Sequence, residues 1–342
     1  MEGKQAQRFQ KQSLSKAGYF NMEIKKRTVV ITGASSGAGR AIALQFARRG
    51  ERLVLASRNL AVLEELADEC KIFGAEVKYM EVDVTDYHAL INLAATADEF
   101  GNGIDVWVNN AGILAVGAFE ETPMEVSAQV MKTNLLGYMH GAHAVLPYFK
   151  KQGKGILINN ISIGGFLAVP MGAAYSASKF GLRGFGQALK AELSAYPEIH
   201  VCDAFPAFLD SPGIQHAANY TGKYLKPAPP VYDPERLAQA IVDLADKPKK
   251  EKMVGSVSVL LRLSAVLFPT LTQFMAGAVI KGYLKRADSI PTTNGNIFTP
   301  VPYGNAVHGG WGIPGKPKAH RKYIAGIAAS LALIALVKIA GK

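Results

Sequence analysis

Residues 32–40 read TGASSGAGR, and they stand between the apolar run TVVIT (28–32) and a stretch in which Ile42, Leu44, Phe46 and Ala47 recur at helical spacing. Gly33, Gly37 and Gly39 let a backbone turn tightly at the end of a strand and approach a pyrophosphate, whose charge then meets a helix N-terminus. A glycine-rich stretch alone is weak evidence. Placed between a strand and an amphipathic helix, it marks a dinucleotide-binding turn, with Ser35 inside the loop.

Working outward, short apolar runs alternate with amphipathic helical stretches, which is the pattern of a parallel sheet wound with helices on both faces. Six strands are expected, at 28–32, 52–57, 76–82, 105–109, 155–161 and 200–205. The fold class expected is therefore α/β, a doubly wound parallel, Rossmann-like sheet in one domain. No internal repeat and no coiled-coil heptad interrupts it.

Charge narrows the partners. The formal net charge is +11, but residues 1–27 carry seven Lys/Arg against two acids, and residues 313–342 carry six Lys/Arg and no acid. These ends account for all of the excess, so the body between them is formally neutral and offers no basic groove to nucleic acid. Anionic lipid head groups are the partner such ends suit. Cys70 and Cys202 fall on a helix and a buried strand without a CxxC or CxH neighbour, which reads as two inert thiols in a reducing compartment. The first 22 residues contain no apolar core of a signal peptide.

Beyond the sixth strand the character changes. Residues 256–283 (SVSVLLRLSAVLFPTLTQFMAGAVIKGY) are apolar nearly all round, broken by Arg262 and Pro269, and end near Lys281, Lys285 and Arg286. Residues 290–317 are dense in Gly, Pro, Asn and Thr and read as an irregular loop packed over something. Residues 323–340 (YIAGIAASLALIALVKIA) have Lys338 as their single charge. As a helix at ~1.5 Å per residue this stretch is about 27 Å long against a hydrocarbon core of about 30 Å, so a transmembrane anchor is expected. The basic flank KPKAHRK places the preceding domain on the cytoplasmic side; the alternative is a C-terminal core helix. The expected organisation is thus a basic extension (1–26), a catalytic domain (27–255), an apolar lid with a Gly/Pro-rich loop (256–320) and a membrane anchor (321–342).

Four motifs now stand in order: TGASSGAGR, the NNAG of residues 109–112, Ser162, and Tyr175-x-x-x-Lys179. In that order and context the chain resembles the short-chain dehydrogenase/reductase family over residues 27–246. The resemblance implies a single domain carrying both cofactor and substrate sites, assembled as a homodimer or homotetramer. It implies that Tyr175 exchanges a proton with the substrate oxygen as hydride moves to or from the nicotinamide. Ser162 then hydrogen-bonds the reacting oxygen, Lys179 holds the nicotinamide ribose and favours the phenolate, and Asn134, in KTNLLG, supports a water relay to the lysine. Asn110 belongs with the cofactor-binding set. Asp83, in EVDVTD, matches the acid that contacts the adenine, with Asp86 or Thr85 as the neighbouring helix cap.

The second strand ends in Ala56-Ser57-Arg58, with no acid for the adenosine ribose. Arg58 can pair with a 2′-phosphate instead, which favours NADP(H) over NAD(H). Two positions depart from the family pattern: Ser36 replaces a second basic residue in the glycine motif, and the run after the sixth strand is Pro206, Ala207, Phe208, Leu209, Asp210, Ser211. There a glycine is replaced and Ser211 stands for a threonine that contacts the nicotinamide amide. His140 and His143 are three apart but lack a third ligand, so no metal is expected. The function expected is hydride transfer between NADP(H) and a carbonyl or alcohol of a lipophilic substrate such as a steroid, retinoid, long-chain aldehyde or ketolipid. The rival is a non-catalytic, cofactor-binding membrane scaffold, against which the intact Ser162, Tyr175 and Lys179 argue.

Overall fold

A computed structural model describes residues 26–312. Seven parallel strands form one sheet in the order β3-β2-β1-β4-β6-β7-β9. These are β1 (Thr28–Thr32), β2 (Arg52–Ser57), β3 (Glu76–Glu81), β4 (Val106–Asn109), β6 (Gly155–Asn160), β7 (Ile199–Pro206) and β9 (Glu251–Val254). All five residues of β1 are buried, as a strand covered on both faces requires. Its alternation divides the core. Val29 and Ile31 join Ile42 and Phe46 of α1 (Gly37–Ala47), Leu63 and Leu66 of α2 (Leu60–Ile72) and Ile241 of α7 (Pro234–Asp246). Val30 joins the opposite face, with Leu90 and Leu93 of α3 (Tyr87–Gly101), Val145 and Phe149 of α5 (Gly137–Gln152) and Leu189 of α6 (Ala173–Glu192).

Helix starts follow their capping residues. Asn59 accepts a hydrogen bond from Val62 N at 3.3 Å to open α2, and Asp86 accepts from His88 N and Ala89 N to open α3. α4 (Met124–Met131) runs into a π-helical turn, Lys132–Leu136, that holds Asn134. Wide turns of this kind collect at functional sites.

The six expected strands are present to within a residue or so at each end. The seventh, β9, lies at the sheet edge beside β7, and its half-buried EKMV carries two charges that hide it in sequence. β5 (Ala115–Val116) and β8 (Ala218–Asn219) form a separate two-stranded pair. The apolar stretch 256–283 folds as two helices, α8 (Ser256–Leu267) and α9 (Pro269–Leu284), because Pro269 cannot continue the first and opens the second.

Among the described residues no helix is long and apolar enough to cross a membrane. The stretch 323–340, where a spanning helix is expected, and the basic segment 1–25 lie outside the described residues. Cys70 and Cys202 are free and buried, on α2 and β7; burial pushes their thiols up to about 12 and about 11, which keeps both protonated and inert at neutral pH.

Candidate active site

The strand order reverses between β1 and β4, and a cleft of about 740 Å³ opens there beyond the carboxyl ends of the strands. The glycine turn lies against Ala111: a Cβ on Gly33, whose φ is +65°, would stand 2.6 Å from Ala111 Cα, and one on Gly39 would run into the Gly33 carbonyl. Asn110 fixes this turn. Its Nδ2 donates to the carbonyls of Thr32 (3.0 Å) and Gly33 (3.1 Å), and its Oδ1 accepts from Asn160 Nδ2 at 2.9 Å. Thr32 Oγ1 in turn accepts from the Asn110 amide at 3.0 Å. Asn160 is a partner that no motif marks; a polar pair, Asn159 and Asn160, at the carboxyl end of an otherwise apolar strand is the signal available in the sequence.

Ser35, Gly37, Arg58, Asp83 and Ser211, the residues expected to hold the cofactor, all line the cleft. The Asp83 carboxylate already accepts from Thr85 N and Oγ1, both at 2.8 Å, so one oxygen is fixed within its turn. Ser211 comes within van der Waals reach of Gly37, where an added Cβ would lie 3.2 Å from Ser211 Cβ. Arg58 departs from the expected free fork. Its guanidinium donates to the carbonyls of Asn296 (2.7 Å), Ile297 (3.3 Å) and Phe298 (3.4 Å) in the irregular C-terminal segment.

The residues expected to handle the proton, Ser162, Tyr175 and Lys179, come together from two elements. Ser162, just past β6, takes φ +110°, a conformation costly for a residue with a Cβ, and its Oγ accepts from Gly164 N at 3.1 Å. Tyr175 and Lys179 stand one turn apart on α6, and the Tyr175 phenol is hydrogen-bonded to the Ser162 side chain. Burial raises the Tyr175 phenol above its ordinary value, and the Ser162 hydrogen bond opposes this only in part. Burial also drives Lys179 down to about 7. The chain alone therefore does not favour the phenolate: an ammonium that loses its own charge to desolvation has little field to lend.

Asn134 is fully buried, and its side-chain amide is engaged: Oδ1 accepts from Ile113 N (2.8 Å), while Nδ2 donates to Ile113 O (2.9 Å) and Ser178 Oγ (3.3 Å). It clamps the π turn to the strand-end loop beside Lys179. Tyr138, unforeseen from sequence, is buried with its hydroxyl donating to Asn160 O at 2.8 Å and its ring 5.3 Å from Lys179 Nζ. His140 Nδ1 pairs with Val84 O at 3.0 Å and His143 Nδ1 with Tyr87 OH at 3.0 Å. Among the described residues no group of three or more His, Cys, Asp or Glu is placed to hold a metal.

The far wall of the cleft is apolar. Leu260 and Leu261 of α8 and Met275, Val279 and Ile280 of α9 line it, together with Leu167 and Ile214. Other large side chains of these helices and of their junction are exposed, with Val266, Leu267, Phe268 and Phe274 between 58% and 73%, and Val279 at the cleft rim is 63% exposed as well. Residues 256–287 contain Arg262, Lys281, Lys285 and Arg286 and no acid, and Arg262 is paired with Glu251 at 2.7 Å.

The donor set suits a nicotinamide dinucleotide. Gly37, Ala38 and Gly39 at the start of α1 line the cleft where a pyrophosphate would lie, Asp83 lines it where an adenine would, no acid ends β2, and Ser162, Tyr175 and Lys179 line it as well. Comparisons agree with this geometry. A family model described as short chain dehydrogenase matches residues 27–220. An uncharacterized oxidoreductase, YxnA, of Bacillus subtilis is 32% identical over 255 residues, covering 73% of this chain and 71% of that protein. Mouse dehydrogenase/reductase SDR family member 7 is 35% identical over 204 residues, 57% of this chain and 59% of that protein. Among solved structures, an alcohol dehydrogenase from the archaeon Thermococcus sibiricus, complexed with 5-hydroxy-NADP, superposes with a TM-score of 0.59 at 29% identity, over 68% of this chain and 97% of that chain.

Proposed function

Because the chain belongs to the short-chain dehydrogenase/reductase family, an oxidoreductase family that uses a nicotinamide cofactor, we propose that it is an NADP(H)-dependent carbonyl reductase or alcohol dehydrogenase for a lipophilic substrate. One observation carries the reading: Ser162, Tyr175 and Lys179 stand at one end of a cleft whose opposite wall is made of large apolar side chains from α8 and α9.

The bound nicotinamide supplies or accepts the hydride. The rest is the work of the chain. In the reducing direction the Tyr175 O–H donates its proton to the substrate oxygen, and the Ser162 hydroxyl donates a hydrogen bond to the same atom, stabilising the charge that grows there. A phenol kept protonated by burial is the form this step needs. Lys179, with a pKa near neutrality, can pass a proton back toward the tyrosine between turnovers. The clamp of Asn134 on Ile113 fixes the wall beside that lysine.

NADP(H) is favoured because β2 ends without an acid and presents Arg58 to the adenosine end of the cleft. The archaeal relative was crystallised with an NADP derivative, which is consistent with this choice. The outward apolar face of α8 and α9, together with Lys281, Lys285 and Arg286, suits the head-group zone of an anionic membrane, from which a lipid-like substrate could pass to the cleft. A cytoplasm-facing domain held on such a membrane is the localisation this implies.

The test is NADPH oxidation against a panel of hydrophobic ketones and aldehydes, with full-length protein in detergent. Turnover that favours steroid-, retinoid- or long-chain-like carbonyls supports the reading. A protein that binds NADPH yet reduces none of them would instead be a cofactor-binding scaffold.

A further inference from the structure

Two donors that face the dinucleotide cleft are held by the segment 290–312. The amide of Gly37, at the start of α1, donates to Ala306 O at 2.9 Å, and Arg58 donates to the carbonyls of Asn296, Ile297 and Phe298. Arg40 reaches Asn305 O at 3.4 Å, and Asn296, Pro300, Val301 and Asn305 line the cleft itself. The segment thus crosses the cleft from its adenosine end to the loop after β7.

It is anchored on both sides. Thr293 and Asn219 exchange backbone hydrogen bonds of 2.8 and 3.0 Å, and the fully buried Ile297 packs in a cluster with Ile113, Val126 and Val130. At the far end the buried Asp210 carboxylate accepts from the amides of Gly309 (3.2 Å) and Trp311 (2.7 Å).

We propose that residues 290–312 are a strap gating the dinucleotide cleft, so that nucleotide enters and leaves only when the strap lifts from Gly37 and Arg58. A main-chain carbonyl presents lone pairs to these donors as a phosphate oxygen would, and the two cannot occupy one N–H direction together. A phosphate makes the stronger, charge-assisted bond, so a nucleotide that has entered keeps the lifted strap from returning; the anchors at Ile297 and Asp210 make the lifting itself slow. The inference rests on the dinucleotide site of the proposed function, but not on a preference for NADP(H) over NAD(H).

Stopped-flow binding of the full chain tests it, with NADPH and NADH each varied in concentration. Lifting before binding makes the observed rate level off at the opening rate, and that plateau is the same for both nucleotides because opening belongs to the chain. Ile297→Ala and Asp210→Ala, made separately and checked for folding by circular dichroism, should each raise the plateau by about tenfold or more, since each removes one anchor. Rates that rise linearly with nucleotide and are alike in wild type and in the folded variants would overturn the gate. If NADPH fails to bind while NADH shows the plateau, the NADP(H) reading falls and the gate stands.

Discussion

Lys179 Nζ lies 5.6 Å from the centre of the Tyr175 ring and 5.3 Å from that of Tyr138, so the site's one buried ammonium rests between two aromatic faces. Ring faces attract a cation, yet they do not hydrate it, and desolvation prevails: Lys179 falls to about 7. Tyr138 is pushed far up by burial and then by the neighbouring Tyr175, and stays a neutral hydrogen-bond donor to Asn160. Of the two tyrosines Tyr175 lines the cleft, so it is the one proposed to transfer the proton.

Replacing Tyr175 by Phe removes one oxygen and leaves the ring in its place. Turnover should fall by roughly a hundredfold or more, the usual worth of a general acid, while nucleotide affinity stays within about twofold. Steady-state rates paired with NADPH fluorescence titration measure both. A variant that keeps a tenth of the activity would remove Tyr175 from its role.

Lys179 makes stability depend on pH. Its folded pKa, about 7, lies below its ordinary 10.5, so between those values the unfolded chain holds a proton that the folded chain does not. Stability therefore rises with pH across that window and loses this contribution as pH falls through about 7. Relative to Lys179→Met, the wild type should gain up to ~1.4 kcal/mol per pH unit there. Urea melts of nucleotide-free protein at several pH values check this; parallel curves for the two proteins would contradict it.

The sheet was legible because its strands are the buried kind: TVVIT and RLVLAS are apolar runs whose partners, in register from Thr28↔Arg52 to Thr32↔Ala56, are equally apolar. The Ser162, Tyr175 and Lys179 positions were legible because they follow motifs of fixed order. What was hidden is long-range. Nothing near Arg58 in sequence announces that its partners lie about 240 residues later. The same holds for Asp203, fully buried on β7 and paired with Lys190 of α6 while accepting from Asn159 Nδ2 at 3.0 Å. Both contacts are closed by the fold and leave no periodicity behind. The π turn around Asn134 is hidden for a related reason: Asn134 grips the backbone of Ile113, which no local pattern pairs with it.

Arg58 carries the cofactor prediction. Of the charged residues that line the cleft's adenosine end, Arg58 is basic and Asp83 acidic, and β2 supplies no further acid. Arg58→Ala should weaken NADPH binding by about tenfold or more and NADH binding by much less, because a charge-assisted contact to phosphate is worth about 1.5–3 kcal/mol. Fluorescence titration of both nucleotides decides. Binding of both nucleotides that is unchanged or tighter would mean that Arg58 serves only to hold the 296–298 carbonyls.

The apolar wall carries the prediction about substrate. Leu260, Leu261, Met275, Val279 and Ile280 come from α8, which follows the edge strand β9, and from α9, and they line the same cleft as Tyr175 and Ser162. Had these helices only to complete a core, their apolar residues would be buried against the sheet; instead Val257 and Ser258 of α8 and Thr272 of α9 are their buried residues. The remaining side chains face either the cleft or the outside. A substrate with an apolar body would be desolvated against the cleft-facing set, and each methylene placed there contributes ~0.8 kcal/mol, or about fourfold in kcat/KM per carbon. A homologous series of aldehydes at fixed detergent should therefore show catalytic efficiency climbing with chain length until the cleft is filled. Met275→Asn should flatten that climb by placing an amide in the wall while leaving the shortest aldehydes nearly unaffected, because a short aldehyde has no chain to lay against α9. A flat series in the wild type, or a preference for small polar hydroxy acids, would show that the wall does not select the substrate.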